Sequence, residues 1–242
     1  VKPDNLQQAV AGVRGLDFRG VNVTIPHKEK VMQYLDHIDP LAQKIGAVNT
    51  IVNDKGYLSG YNTDLTGIIQ MVKEDGNFKK KGKKAVILGA GGASRAVGIA
   101  LCHKEIQELY LLNRTEAKAA ELVKSWQKCY PEIKITAGPL IKEYYHSLFK
   151  KVDLIIDTTP VGMEPNIDMP PVVDKDSLHS NLLVVDLVYN PRVTTLMKAA
   201  QKKGAQTING MGMLLYQGIE SFRLWTGIES DKAYWWELVN II

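Results

Sequence analysis

The stretch that decides the fold reads KAVILGAGGASRA over residues 84–96, and ELYLLNRT follows over residues 108–115. The first apolar run ends in a cluster of glycines, a segment compatible with a helix follows, and the second apolar run ends in Asn-Arg-Thr. This order predicts a strand–turn–helix–strand unit of the kind that binds a dinucleotide.

The glycine cluster has the spacing of a pyrophosphate-binding turn, with one exception. Gly89 permits the tight turn, and Gly91 lets the backbone approach a pyrophosphate. Backbone amides near Ala93 and Ser94, at the start of the helix, would point at the anion. Ser94 replaces the third glycine of the usual fingerprint, so the glycine pattern by itself is weak evidence.

The end of the second strand distinguishes between the two nicotinamide cofactors. An NAD site usually places Asp or Glu there to hold the ribose 2′-hydroxyl, whereas this chain has Asn113, Arg114 and Thr115, followed by Lys118. Two cations and two small polar groups suit a 2′-phosphate, which an acid would repel, so we predict NADP. The alternative is that Arg114 and Lys118 are ordinary solvated charges at the start of a helix.

The composition is that of an ordinary globular protein of 242 residues with a formal net charge of +4. The lysine cluster at residues 79–84 is expected to be a solvated turn, because no aromatic residues interleave with it as they would in a nucleic-acid site. No apolar run is long enough to span a bilayer, so we expect neither nucleic acid nor a membrane as a partner. Cys102 and Cys129 form no close-spaced metal motif, so no metal is predicted and both are expected to be reduced, cytoplasmic thiols.

The chain before residue 64 reads as short strands and helices. We predict strands at residues 20–25, 47–52 and 57–58, and helices at residues 28–35, from Asp39-Pro40, and from Thr63 to about Glu74. From residue 84 the pattern is strand and helix in alternation. The predicted strands are residues 85–88, 109–112, 133–136, 154–157, 183–187 and 206–208, and helices start near Gly92, Thr115, Leu140 and Thr194, with two more after residue 211.

Alternating elements of this length predict an α/β fold: a Rossmann-type, doubly wound parallel sheet, together with a smaller α/β domain. Because the nucleotide-binding unit is interior, sequence on both sides of it must build the second domain. We expect residues 1–64 and 210–242 to form a substrate domain and residues 65–209 to bind the dinucleotide, with the chemistry in the cleft between them.

Five further motifs occur along the chain: NVTIPHK at residues 22–28, GAVNT at 46–50, GYNTD at 60–64, DTTPVGM at 157–163 and GMGMLLYQG at 210–218. Together with the glycine turn, they resemble the shikimate dehydrogenase family over essentially the whole chain. Each motif alone is weak, but their order and spacing are highly specific. The resemblance implies reduction of 3-dehydroshikimate to shikimate with NADPH, in the pathway to aromatic amino acids.

The resemblance also implies roles for individual residues. Lys28 would be the catalytic acid/base, and Asp64 would pair with it and contact a substrate hydroxyl. Further substrate-binding groups would come from Thr24, Asn49 and Gln217, with Tyr189 lining the cleft. Thr63 is added on chemical grounds, because a substrate with several hydroxyl groups needs several hydrogen-bonding partners. The expected cofactor-binding residues are Gly89, Ala90, Gly91, Gly92 and Ala93 for the pyrophosphate; Asn113, Arg114, Thr115 and Lys118 for the 2′-phosphate; and Thr158, Gly210 and Met213 near the nicotinamide.

Simpler interpretations exist for several of these residues. A lysine after a strand is usually a solvated charge, Asp64 and Thr63 could merely cap the following helix, and Gln217 could be a polar residue on a helix face. His27 is adjacent to Lys28, but we expect it to be structural, because alternation along a strand would turn it away from Lys28.

Two alternative functions remain open at this point. One is a quinate/shikimate dehydrogenase that uses NAD, against which Asn-Arg-Thr at residues 113–115 argues. The other is a catalytically silent nucleotide-binding protein. The family normally starts with an additional strand and a Ser-x-Ser-Pro motif that binds the substrate carboxylate, and we expect this sequence to lack that segment. A small-molecule substrate and a monomer or homodimer are expected.

Overall fold

The computed structural model describes residues 1–79, 81–103 and 106–241. The chain divides into two compact units. Unit 1 comprises Val1–Gly67 and Leu214–Ile242, and unit 2 comprises Ile68–Met213. No helix among the described residues is both long enough and apolar enough to cross a membrane.

Unit 1 contains a four-stranded sheet with the spatial order β1-β3-β4-β2. The first three of these strands pair antiparallel, whereas β2 runs parallel to β4. The strands are β1 (Gly20–Asn22), β2 (His37–Ile38), β3 (Thr50–Asp54) and β4 (Tyr57–Tyr61); the helices wholly or mainly in this unit are α1 (Leu6–Gly15), α2 (Pro40–Ile45), α3 (Thr63–Gln70), α8 (Met211–Thr226) and α9 (Lys232–Ile241).

Local sequence explains the helices of unit 1. Helix α1 places Leu6, Val10 and Val13 on one buried face, where they join the core of this unit. Helix α2 begins as predicted, because the Asp39 carboxylate accepts hydrogen bonds from the first-turn amides and proline occupies the first helical position. It ends at Gly46, whose φ of 71° is the left-handed conformation of a helix cap.

Unit 2 contains a six-stranded parallel sheet with the order β10-β9-β8-β5-β6-β7. This confirms the predicted doubly wound Rossmann-type architecture. The order reverses between β5 and β8, which is where such sheets bind nucleotides. The strands are β5 (Lys84–Leu88), β6 (Glu108–Asn113), β7 (Lys134–Pro139), β8 (Leu154–Asp157), β9 (Leu183–Asp186) and β10 (Gln206–Asn209); the helices are α4 (Gly92–Cys102), α5 (Glu116–Cys129), α6 (Lys142–Phe149) and α7 (Thr195–Lys202).

The structure corrects two predictions in unit 1 and adds two elements. The strand predicted at residues 20–25 ends at Asn22, because the chain then turns, with the His27 amide donating to the Thr24 carbonyl at 2.9 Å. The helix predicted at residues 28–35 is a 3₁₀ helix over Lys30–Tyr34. Helix α1 and the short strand β2 were not predicted.

Candidate functional site

An ion pair between Lys28 and Asp64 lies at the centre of the polar cluster in unit 1. Lys28 Nζ is 2.7 Å from Asp64 Oδ2, and the two side chains are 24% and 11% exposed. Lys28 follows the turn after β1, where its carbonyl accepts the Val48 amide at 2.8 Å. Asp64 is the second residue of α3. The ammonium is therefore held beside a carboxylate while part of it stays open to a reacting group.

Asn49 fixes the orientation of the Asp64 carboxylate. Asn49 Nδ2 donates to Asp64 Oδ1 at 2.9 Å and to Thr63 Oγ1 at 3.0 Å, while Asn49 Oδ1 accepts the Thr63 amide at 2.8 Å. Asp64 thus uses one oxygen for Asn49 and the other for Lys28. Asn49 and Thr63 are 3% and 1% exposed, so this part of the cluster is shielded from water.

Three more side chains extend the hydrogen-bond network around Asn49 and Thr63: the hydroxyls of Thr50 and Ser221 and the amide of Asn22. The sequence analysis did not identify them as site residues. Ser221 Oγ lies 2.9 Å from Thr50 Oγ1 and 3.1 Å from Thr63 Oγ1, and Thr50 Oγ1 donates to Asn49 Oδ1 at 3.0 Å. Asn22 Nδ2 donates to Ser221 Oγ at 3.2 Å. Thr50 and Ser221 are fully buried. This network fixes the side chains of Asn49 and Thr63, and Asn49 in turn orients Asp64.

Replacement of Ser221 by alanine is expected to lower the free energy of unfolding by about 1–3 kcal/mol, because the buried hydroxyls of Thr50 and Thr63 lose a hydrogen-bond partner. Chemical denaturation measures the change. Ser125→Ala is the matched control, since Ser125 is exposed on α5 and should alter stability by about 0.5 kcal/mol or less. Equal stability of the Ser221→Ala and control variants would contradict a stabilising network.

The remaining residues expected at this site occupy three different environments. Gln217 joins the network, with its Oε1 accepting from Thr63 Oγ1 at 3.4 Å. Thr24 is exposed, and among the described residues no hydrogen bond connects its hydroxyl to the network. Tyr189 belongs to unit 2, where it is 45% exposed. His27, which was not expected at the site, is buried, with Nε2 2.9 Å from the Val1 carbonyl oxygen and with no hydrogen-bond partner for Nδ1 in the described part of the chain.

The glycine turn of unit 2 follows β5 at the point where the strand order reverses. Gly89 has a φ of 94°, and a Cβ there would lie 2.9 Å from Thr159 Cγ2, so the position requires glycine. Gly91 and Gly92, by contrast, face open space. Ser94, the departure from the fingerprint, donates from Oγ to the Gly91 carbonyl at 2.6 Å. The turn leaves room for an anion beside the first amides of α4.

The end of β6 and the start of α5 carry the exposed cations Arg114 and Lys118. Asn113 accepts the Ala90 amide at 3.1 Å and donates to the Thr115 carbonyl at 2.9 Å, which ties this strand end to the glycine turn. Arg114 and Lys118 are exposed, and neither forms an ion pair within the part of the chain that the structure describes. The donor set fits a 2′-phosphate.

Thr158 lies against the glycine turn, and Gly210 packs against residues 187–188 of unit 2. Thr158 Oγ1 lies 2.8 Å from the Leu88 carbonyl oxygen and 3.1 Å from the Gly89 carbonyl oxygen. Gly210 donates its amide to the Val188 carbonyl at 3.2 Å, and a Cβ at this position would lie 2.0 Å from the Leu187 carbonyl oxygen. Met213 is half-buried. No group of three or more metal-ligating side chains occurs among the described residues.

Three family models match consecutive parts of the chain. The shikimate dehydrogenase substrate binding domain matches residues 1–51, the shikimate / quinate 5-dehydrogenase model matches residues 70–209, and the shikimate 5′-dehydrogenase C-terminal domain matches residues 210–238. The second of these models alone spans more than half of the chain.

Individual proteins are similar over nearly the full chain. The shikimate dehydrogenase (NADP(+)) of Halothermothrix orenii is 56% identical over 231 residues, which are 96% of this chain and 80% of that protein. A shikimate dehydrogenase solved in complex with NADP+ is 41% identical with a TM-score of 0.91, covering 100% of this chain and 82% of the other. The Thermus thermophilus enzyme, solved with NADP(H) and shikimate, is 34% identical with a TM-score of 0.86, covering 100% and 85%.

Proposed function

We infer that this chain, which belongs to the shikimate dehydrogenase family, is an NADP-dependent oxidoreductase that interconverts 3-dehydroshikimate and shikimate. The observation that carries the assignment of the chemistry is the partly shielded Lys28–Asp64 pair, held by Asn49. Reduction of a ketone to an alcohol needs a proton donor at the carbonyl oxygen, and a positioned ammonium can be that donor.

Lys28 is proposed to be the proton donor. When bound, NADPH supplies the hydride that reaches the carbonyl carbon of the substrate. The Lys28 ammonium stabilises the negative charge that develops on the oxygen and gives it a proton from Nζ, which leaves a neutral amine. In the reverse direction, that amine accepts the alcohol proton. Asp64 holds Nζ in place through the 2.7 Å contact.

The hydroxyl groups of the substrate need several hydrogen-bonding partners, and a site that binds them rejects analogues that lack them. We propose that Thr24, Asn49, Thr63 and Gln217 supply these partners together with Asp64. Tyr189 is also proposed as a substrate-binding residue. The buried, mutually bonded Asn49 and Thr63 support this assignment because their side-chain orientations are already fixed.

We propose that unit 2 binds NADP and that unit 1 binds the substrate. The open glycine turn over residues 89–93 suits the pyrophosphate, and Asn113, Arg114, Thr115 and Lys118 suit the 2′-phosphate. Thr158, Gly210 and Met213 are proposed for the nicotinamide side. Both cysteines are free thiols, which suits the further proposal of a cytoplasmic enzyme. A monomer or homodimer is proposed as its assembly state.

An NADP-linked absorbance assay on the full-length protein tests this function against its alternatives. Shikimate with NADP is expected to give the highest kcat/KM, above shikimate with NAD and above quinate with either cofactor. Faster turnover of quinate with NAD would favour a quinate/shikimate dehydrogenase. Binding of NADP without turnover of either acid would favour a catalytically silent protein.

A further inference from the structure

Two buried aspartates lie side by side in the sheet of unit 2. Asp157 ends β8 and Asp186 ends β9, and the two are direct partners in the register of these parallel strands. They are 1% and 0% exposed. Lateral partners in a parallel sheet point to the same face, and neighbouring strands are about 4.8 Å apart. The two carboxyl groups are therefore close neighbours in a dry environment.

The residues around this pair provide no counter-charge. Leu88 of β5 is the partner of Asp157 on its other side, and Asn209 of β10 is the partner of Asp186. Neither aspartate forms an ion pair with a Lys, Arg or His of the described residues. Asp186 is the charged group whose field acts on Asp157. Two ionised carboxylates in this position would repel each other.

Burial and this repulsion favour a protonated carboxyl group. Burial first, and then the neighbouring Asp186, raises the pKa of Asp157 to about 7, although the amide and hydroxyl of Thr159 oppose the change. Burial also raises the pKa of Asp186. Because the two groups interact, they titrate as a pair.

Each carboxyl group organises the loop that follows its strand. Asp157 Oδ1 accepts the Thr159 amide at 2.8 Å. Asp186 Oδ1 accepts the Val188 amide at 3.0 Å, and its Oδ2 accepts the Thr194 hydroxyl at 2.6 Å. The Thr194 hydroxyl in turn caps α7. Asp157 thus fixes the start of loop 158–163, and Asp186 fixes both ends of loop 187–194.

The first of these loops contacts the strand end that leads into the glycine turn, because Thr158 donates from Oγ1 to the carbonyl of Leu88. The second loop is linked to the residue that follows the first, because Asn190 Nδ2 donates to Glu164 Oε2 at 2.8 Å. The Val188 carbonyl accepts the amide of Gly210. Each loop therefore contains, or bonds directly to, a residue proposed to face the cofactor: Thr158 in the first, and Gly210 on Val188 of the second.

We propose that Asp157 and Asp186 share one proton, and that the resulting singly charged pair positions loops 158–163 and 187–194 for NADP binding. This inference rests on the proposed function, in which NADP is the cofactor. Neither aspartate is placed in contact with the cofactor or the substrate, so both act as positioning residues. When the shared proton is lost, Asp157 and Asp186 both carry a negative charge. Their repulsion then makes loops 158–163 and 187–194 less well ordered.

The pH dependence of NADP affinity tests the proposal. The Kd for NADP of the unmodified protein is expected to rise about fivefold or more between about pH 6 and pH 8.5, at the low end of coupling between two sites. In Asp157→Asn the amide N–H takes the place of the shared proton, so the Kd should change less over this range and should be lower than that of the unmodified protein at pH 8.5. Asp176→Asn is the matched control, because Asp176 is an exposed carboxylate of unit 2, and it should keep the unmodified profile.

The pH dependence of the free energy of unfolding is a second measure of the same proton. Because the folded pKa of Asp157 lies above the unfolded value, the folded state binds the extra proton, and stability falls as the pH rises from about 4 to about 7. Asp157→Asn should remove this part of the pH dependence of the unfolding temperature. Identical slopes for the variant and the unmodified protein would overturn the proposal.

Carbon-13 NMR of labelled aspartate carboxyl groups observes the pair directly in the unmodified protein, so this test does not depend on the folding of a variant. One carboxyl resonance is expected to titrate near pH 7, and the absence of any aspartate titrating between about pH 5.5 and 8.5 would contradict a shared proton. This readout needs no cofactor. Failure to bind NADP at any pH would therefore contradict the proposed function, while the NMR titration would still decide the protonation of the pair.

Discussion

Replacement of Lys28 by alanine is expected to lower kcat by about 10²–10⁴-fold, because general acid/base catalysis typically contributes a factor of this size. Lys28 Nζ is the ammonium held by Asp64, and alanine removes the proton donor without replacing it. Steady-state turnover of shikimate with NADP measures the effect. The affinity for NADP is expected to stay unchanged, since the proposed cofactor-binding residues belong to unit 2.

Lys30→Ala is the matched control for this experiment. Lys30 lies two residues away, is exposed, and begins the 3₁₀ helix. Its removal takes away the same positive charge and should leave kcat within about twofold, as expected of a surface substitution away from the site. A Lys28→Ala enzyme with near-native turnover would show that another group transfers the proton.

Replacement of Arg114 by alanine is expected to raise the KM for NADP about tenfold to a hundredfold and to leave the KM for NAD almost unchanged. A hydrogen bond to a charged group contributes about 1.5–3 kcal/mol, and the 2′-phosphate is present in NADP alone. NAD therefore serves as an internal control within the same variant. Lys124→Ala, which removes an exposed cation from α5, should alter neither KM. Equal effects of Arg114→Ala on both cofactors would contradict the assignment of the 2′-phosphate site.

The sheet of unit 2 could be predicted because its strands are continuous apolar runs separated by turns. The strand predicted at residues 154–157 is observed as Leu154–Asp157, and that at residues 85–88 lies within Lys84–Leu88. A fully buried parallel strand leaves this signal in the sequence itself. The order of the strands in space leaves no such signal. The pairing of Asp157 with Asp186, which are distant in sequence, could therefore not be predicted.

The N-terminal part of unit 1 was harder to predict because its elements are short. Strand β2 has only two residues, too few to show a period. Helix α1 does carry a signal, since Leu6, Val10 and Val13 recur at helical spacing, but Gly12 and Gly15 weaken the pattern. Strand β1 was predicted too long because its apolar residues continue beyond the last paired residue.

The network beneath Asn49 depends on contacts that only folding creates. Ser221 lies on α8, far along the chain from Thr50, and a serine on an amphipathic helix normally reads as a solvent-exposed residue. Its burial and its hydrogen bonds to Thr50 and Thr63 follow from the packing of α8 within unit 1. The Lys28–Asp64 pair, by contrast, was expected from the motifs, and its direct contact is observed at 2.7 Å.

The central claim is that Lys28 and Asp64 act as one catalytic unit, and a double-mutant cycle on kcat tests it most directly. The cycle comprises the unmodified protein, Lys28→Ala, Asp64→Ala and the double variant, all assayed with shikimate and NADP. If the pair acts as a unit, the double variant should lose little more activity than Lys28→Ala alone. Losses that multiply, so that the double variant shows the product of the two single effects, would contradict the claim.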